Sequence, residues 1–497
     1  MTKNDRETSR LVAGAGAVLA ALPASGAESI HQYTTALIGC GGWGQENLKA
    51  ALGALRKKDE DPRKVRIVAL CDVKEDRSQA TAANLTAETR QAPRTYSQAH
   101  SANRPYVAYS DLLTAERPEI VIVATPDHWH ALPAVEAINR GAHVLVASPL
   151  SHTVREGQAI KTAAAKGNGK HRVVGAAAHW RYAPHVRSAK EFLRSGKVGT
   201  IGFVRAFHNE ARQPEQATEN EPIPPGLAWD YWCGPAPKRR YNKLIYNDFS
   251  CFLDYGNGTL GREGTQWLDL ALWFMETMID QRRERQGTTD AKREILWPRR
   301  VFSTGGRPVL GLPINLELQD EEQPGARERG RQTSDQPDNQ VAVFDFGAAA
   351  VPFSLVWQHR LFAANAAEKV GDSGCYFYGT EGTFHLGWQQ GWTFYPVDKN
   401  KPPVSCPPEE KPKEKTTHYL KELWEDFLGA ITKETQPACG IEDAYRAATL
   451  TQLAMISLKS GRSIQWDGQQ EIIVGDAYAT SLLKRDYRPG YAHPSVS

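Results

Sequence analysis

The sequence predicts an α/β chain of two domains, a doubly wound parallel sheet followed by an α+β domain, on three observations. First, an apolar run, Ala36–Ile38, meets glycines at 39, 41 and 44, and an amphipathic helical pattern follows over Gln45–Leu55. Second, strand and helix patterns then alternate at βαβ spacing. Strands read at Val65–Cys71, Ile120–Ala124, Ala142–Ala147 and Val173–Ala176, with a helix over Ala131–Arg140. The all-apolar Ile120–Ala124 run suits the middle of a parallel sheet. Third, the period changes after residue 179. Thr200–Phe207 is strand-like, Gln340–Phe346 alternates, and Phe353–Trp357, Gly374–Tyr378 and Gly382–Gly387 are further strands. Between them Gln281–Asp338, rich in Arg, Glu, Gly and Pro around an apolar Val309–Leu318 patch, reads as a long surface excursion.

The bulk numbers agree with a soluble globular chain. Its 497 residues leave room for two domains plus extensions, with 41% hydrophobic and 24% charged content. A net charge of +3 gives no argument for nucleic acid or an anionic membrane as partner. Seven scattered cysteines without a C-x-x-C pair argue against a zinc site or a disulfide framework. Residues 1–30 read as an export signal: Lys3, Arg6 and Arg10 precede the apolar run Leu11–Leu22 and a small-residue stretch ending at Ala27. That run is too short to span a bilayer, and the segment is Tat-like in its placement but lacks the paired arginines, so an exported, periplasmic protein is the expectation.

In Gly39-Cys40-Gly41-Gly42-Trp43-Gly44 each glycine has a job if the motif is a dinucleotide fingerprint. The first permits the tight turn, the second lets backbone approach a pyrophosphate, and the third lets the helix pack on the strand with its N-terminus towards the phosphates. Asp72, at the end of Val65–Cys71, can accept hydrogen bonds from the adenosine ribose, which favours NAD over NADP; Lys74 and Arg77 nearby act against that preference.

Further motifs carry a resemblance. Besides the glycine loop and Cys71-Asp72, they are Thr125-Pro126-Asp127-His128-Trp129-His130, Pro149–Thr153, Trp229–Pro237, Asp254–Gly258, Leu268-Asp269 and Gly475–Ala479. In these the chain resembles the Gfo/Idh/MocA family, relatives of glucose–fructose oxidoreductase and inositol dehydrogenase, over about residues 33–490. The resemblance implies a Rossmann domain over 31–178 and an α+β domain with a mostly antiparallel open sheet over 179–415. A C-terminal segment, 416–497, would lay helices back across the first domain. It also implies NAD(P), a carbohydrate or cyclitol hydroxyl as substrate, and placement of Thr125–His130 and Pro149 against the nicotinamide end. Open sheets of this kind commonly pair, so a homo-oligomer is expected.

The family's proton-transfer groups are a lysine in Glu-Lys-Pro and an acid and a histidine four residues apart. At those positions this chain carries Ser148, Arg262 and Gln266. Serine and glutamine do not titrate near neutral pH and arginine stays protonated, so none is an ordinary general base. The substitutes offered by the sequence are His179, which titrates in the useful range, and Asp269, three residues after Gln266. Glu263 adjoins the altered acid position but points about 100° away on a helix. Trp180 can stack on a sugar ring, Arg181 can bind a hydroxyl or carboxylate, and Tyr255 falls in a substrate-side motif; core packing or a salt bridge accounts equally well for the first two. His128 and His130 are spaced for chelation, but no third cluster accompanies them, and no metal is expected. No G-x-S-x-G elbow or Walker loop supports nucleophilic or phosphoryl chemistry. The readings left are an oxidoreductase with a rearranged proton relay, a catalytically silent cofactor-binding homologue, and a redox-assisted glycoside-cleaving enzyme.

Overall fold

The computed structural model describes residues 31–54, 64–97, 108–166, 171–212, 220–287, 295–311, 334–363, 368–369, 371–408 and 419–494. The export segment and most of the Val309–Leu318 patch lie outside them.

The first sheet is built from β1 (Tyr33–Ile38), β2 (Val65–Cys71), β3 (Arg94–Tyr96), β4 (Ile120–Val123), β5 (His143–Val146) and β6 (Val174–Ala176). Its order, β3-β2-β1-β4-β5-β6 and parallel throughout, places the reversal between β1 and β4. A crevice therefore opens at the carboxyl ends of those two strands, above the glycine loop. The crossovers carry α1 (Gly42–Gly53), α2 (Glu75–Thr89), α3 (Ala108–Glu116), α4 (Ala131–Asn139) and α5 (Val154–Lys166). All four residues of β4 are buried, as a central strand covered on both faces requires.

The second sheet has ten strands: β7 (Ile201–Asn209), β8 (Arg300–Gly306), β9 (Asn339–Asp345), β10 (Ser354–Arg360), β11 (Ser373–Gly379), β12 (Gly382–Gly387), β13 (Gly391–Pro396), β14 (Val404–Cys406), β15 (Ile464–Asp467) and β16 (Ile472–Val474). Only β7 and β10 pair in parallel; the remaining pairings are antiparallel. Helices α6 (Pro184–Arg194), α7 (Trp229–Cys233), α8 (Lys243–Asn247) and α9 (Thr265–Arg285) lie between β7 and β8, except that α6 precedes β7. The C-terminal helices are α10 (Leu420–Lys433), α11 (Ile441–Ser460) and α12 (Ala477–Ser481).

Two sequence expectations change. The Gln281–Asp338 excursion contains β8, a full member of the sheet whose Val301 packs in the apolar core and whose buried Ser303 bonds Ser457 and Gln340; flanking charge hides the short alternation. The C-terminal segment is also more than helices on the first domain, because β15 and β16 complete the second sheet's edge. Of its helices, α10 buries Leu423, Trp424 and Phe427 with the apolar residues of α1. The Trp424 indole also donates to Asn47 Oδ1 at 3.2 Å. α11 spans both cores, Ala444 and Tyr445 packing in the first and Leu450, Leu453 and Met455 in the second. Asp476 caps α12 by accepting from the Ala479 N–H at 2.9 Å.

Candidate functional site

A cleft of about 1080 Å³ runs from the glycine loop to the carboxyl end of β7, between the two sheets. Its floor follows from the glycines. Gly39 adopts φ +97°, and a Cβ there would stand 2.5 Å from the Ala124 carbonyl oxygen. A Cβ on Gly44 would lie 2.1 Å from the Gly39 carbonyl oxygen, whereas at Gly42 nothing stands within 4 Å. The loop is thus closed against β4 and open towards the cleft, at the N-terminus of α1. Backbone with no side chain in the way and a helix N-terminus behind it fits a pyrophosphate.

Asp72 lines the adenosine end but is already anchored. Its Oδ2 accepts from the Cys40 N–H at 2.7 Å and its Oδ1 from the Lys74 N–H at 2.8 Å. Burial pushes its carboxyl up, opposed by Arg77 and these two donors. Each carboxylate oxygen keeps a lone pair for a ribose hydroxyl. Arg77 donates to Tyr246 Oη at 2.6 Å, from the second domain.

The remaining predicted residues divide. Thr125, Pro126, Asp127, His130, Ser148, His179, Trp180, Arg262, Glu263 and Gln266 line the cleft, as do Gly41, Gly42 and Trp43. Ser148, Arg262 and Gln266 therefore share one cleft, although they come from the turn after β5, the turn before α9 and the start of α9. A single π-helical turn, Leu260–Gly264, precedes α9 and widens the spacing, so Glu263 also faces the cleft instead of turning away. Gln266 donates to the Ala177 carbonyl at 3.3 Å. Trp180 stacks on Trp388 with ring centroids 4.7 Å apart, and His179 stands 5.5 Å from Trp43, giving an aromatic corner beside the glycine loop.

Several assignments are corrected. Arg181 and Asp269 do not face a ligand: the guanidinium, 1% exposed, donates to Asp269 from Nε at 2.7 Å and to Asp443 from Nη1 at 3.0 Å. A buried charge needs such partners, and both are spent on joining the turn after β6 to α9 and α11. Tyr255 is fully buried, its hydroxyl donating to the Pro237 carbonyl at 2.9 Å. His128 lies beneath the surface with Nε2 2.8 Å from the Trp232 carbonyl, and burial pushes its imidazole down to about 3. Cys40, Gly44 and Pro149 shape the loops without lining the cleft: Cys40 is buried, and Pro149, after a cis peptide bond, points its carbonyl at His130 Nδ1, 2.8 Å away. Among the described residues no group of three or more His, Cys, Asp or Glu is arranged for a metal.

Sequence reasoning missed the end of β7. His208, Glu210 and Arg212 line the cleft opposite the glycine loop. Glu210 Oε1 stands 2.8 Å from His208 Nε2 and 3.1 Å from Arg262 Nη2, and its Oε2 accepts from Arg212. Burial would push its carboxyl up, but His208 and Arg212 hold it well below the usual range. Arg262 thus faces a carboxylate brought in by the end of β7. The polar cluster His208-Asn209-Glu210-Ala211-Arg212 directly after an apolar strand was the available signal.

The comparisons with known proteins agree with this geometry. The family model described as "Oxidoreductase family, NAD-binding Rossmann fold" matches residues 33–175, and that described as "Oxidoreductase family, C-terminal alpha/beta domain" matches residues 199–291. The chain belongs to the Gfo/Idh/MocA oxidoreductase family. Levoglucosan dehydrogenase of Pseudarthrobacter phenanthrenivorans is 29% identical over 195 residues, 39% of this chain and 40% of that protein. Inositol 2-dehydrogenase of Leifsonia xyli is 26% identical over 139 residues, 27% of this chain and 40% of that protein. The sequence matches thus span well under half of either relative. A solved structure of levoglucosan dehydrogenase with NADH and levoglucosan superposes with a TM-score of 0.59 at 16% identity, covering 88% of this chain and 99% of that one, which shows a shared fold.

Proposed function

We propose that this Gfo/Idh/MocA protein is an NAD-dependent oxidoreductase of a small carbohydrate or cyclitol hydroxyl with a rearranged proton relay. One observation carries the reading: a single cleft joins the open glycine loop and Asp72 to a polar wall of Ser148, His208, Glu210, Arg262 and Gln266 with Trp180 and Trp388 at its corner. Aromatic faces and fixed hydrogen-bonding groups suit a polyol, and the intermixed carboxylates make the wall unsuited to a strongly anionic ligand. A bound nicotinamide dinucleotide would supply the hydride acceptor. The glycine loop and Asp72 would hold it, and Gln266, Arg262 and Glu210 would orient hydroxyls. NAD is favoured over NADP because the Asp72 carboxylate would oppose a 2′-phosphate, and Arg77 is engaged with Tyr246.

The test is purified protein with NAD and a panel of sugars and cyclitols, followed by reduced-nicotinamide absorbance. Turnover of a panel member supports the reading. Silence across the panel, with activity appearing in the Ser148→Lys, Arg262→Asp, Gln266→His triple variant, would establish the silent-homologue reading instead.

The outer face of the second sheet exposes Phe203, Phe302, Val341 and Tyr378, which supports pairing of two copies through that face. The N-terminal signal pattern supports export, which fractionation of the native host tests.

A further inference from the structure

The three positions that the family arms with lysine, acid and histidine carry no general base here, yet a carboxyl group faces the cleft beside them. It belongs to Asp127, which opens the one-turn 3-10 helix Asp127–Trp129 after β4. Its neighbours on that turn are fixed elsewhere: His128 is held by the Trp232 carbonyl, and His130 stands 2.8 Å from both the Thr125 and the Pro149 carbonyl oxygens. Through His130 the turn is tied to the Ser148–Pro149 loop. Gly256 makes room on the other side, since a Cβ there would come within 3.2 Å of Asp127 Oδ2.

We propose that Asp127 is the proton acceptor of this site, taking the proton of the substrate hydroxyl in place of the missing lysine and histidine. The inference rests on the oxidoreductase reading. In the balanced step the substrate's C–H electron pair leaves as hydride to the oxidised dinucleotide. The O–H bond breaks to give its proton to an Asp127 carboxylate oxygen, and the C=O double bond forms. Alcohol, oxidised dinucleotide and carboxylate become carbonyl, reduced dinucleotide and carboxylic acid, and the acid later returns its proton to water.

The electrostatics fit such a role. Burial pushes the Asp127 carboxyl up to about 8, Glu156 from α5 adds to the rise, and Arg262 from the π-turn opposes it. Arg485, from the C-terminal tail, is spent on Glu156 and on the His128 carbonyl. The histidines around the turn, His128, His130 and His152, are all pushed down by burial, which disfavours their charged forms. A general base titrating near neutral pH is the useful kind.

A consequence follows that needs no substrate. The oxidised nicotinamide ring is cationic and the reduced ring is neutral, so only the oxidised form favours the Asp127 carboxylate. Calorimetric titration of the full chain with NAD and with NADH, in buffers of different ionisation enthalpy, reads the proton directly. At pH 7 wild-type protein should release about half a proton or more on binding NAD and none on binding NADH. Its NAD affinity should rise about tenfold per pH unit at most between about pH 6 and 8. Asp127→Asn should release no proton, lose that pH dependence, and keep its NADH affinity within about twofold. Equal proton release by wild type and Asp127→Asn, with NAD bound by both, would overturn the role of Asp127 alone. Failure of the wild type to bind either dinucleotide would sink the oxidoreductase reading, and this inference with it.

Discussion

A methyl group on Gly44 would stand 2.1 Å from the Gly39 carbonyl oxygen, closer than any Cβ can sit against backbone. Gly44→Ala must therefore push α1 away from β1. It should cost about 2–4 kcal/mol in denaturant unfolding and abolish dinucleotide binding. At the other end of the loop, Asp72→Ser removes the carboxylate that opposes a 2′-phosphate. The NAD-over-NADP preference proposed above, read by fluorescence titration, should narrow by about tenfold or more, because the Cys40 and Lys74 N–H groups then lose their charged acceptor as well. Asp127 adds a prediction on stability. Its folded carboxyl is raised from 3.8 to about 8, so between those values the native state holds a proton that the unfolded chain has lost. Native protein then binds more protons than unfolded, and this group's contribution to stability falls as pH rises through that window, by up to about 1.4 kcal/mol per pH unit. Asp127→Asn should flatten that slope in denaturant melts taken across the window.

Arg181 shows what an element-scale reading adds. In sequence it sits in His179–Tyr182 beside residues that do face the cleft, and nothing local distinguishes it from a ligand-binding arginine. The fold places it under that turn, where Asp269 of α9 and Asp443 of α11 reach it, and Arg446 joins Asp443 to Glu276 beyond. Arg181→Ala would leave the Asp269 carboxylate buried without its ion-pair partner and Asp443 with Arg446 alone, and a loss of about 3–5 kcal/mol in equilibrium unfolding is expected. The tail after α12 works in a similar way on the side of the cleft. Arg485 donates to Glu156, whose side chain is 1% exposed, and at 2.6 Å to the His128 carbonyl, while Tyr487 donates to Glu156 as well. The tail thus fixes the turn that carries Asp127. Arg485→Ala should lower stability by about 3 kcal/mol and weaken dinucleotide binding, whereas Arg488→Ala, on the partly exposed Asp230, should cost less.

Across the whole molecule, α6, α9 and α11 cover one face of the second sheet, and among the described residues the other face exposes Phe203 and Tyr378. On that face Phe203 and Tyr378 stand 5.5 Å apart, and beside them the buried Phe207 and Tyr376 stack 5.9 Å apart, with Arg205 over the latter pair. If two copies pair there, Phe203→Glu, at a position 38% exposed in the single chain, should shift the solution mass towards monomer without unfolding it; an unchanged mass by light scattering would exclude that face. What was legible in the sequence is what depends on near neighbours: the period of β1, β2, β4 and β5 and the glycine spacing that closes the loop after β1. Strand β8 was hidden because a seven-residue alternation is a weak signal inside a charged stretch. Residues far apart in the chain were decided only by packing. Glu210 answers Arg262 across 52 positions and Asp269 is taken by Arg181 across 88, so the first carboxylate joins the site and the second leaves it. The sequence by itself determined the glycine loop of an NAD-binding Rossmann domain, since it is written in residue types at fixed short spacing. Only the tertiary structure decided which carboxylates face the cleft, because elements far apart in the chain bring Asp127 and Glu210 to it and set the burial and the charges around them.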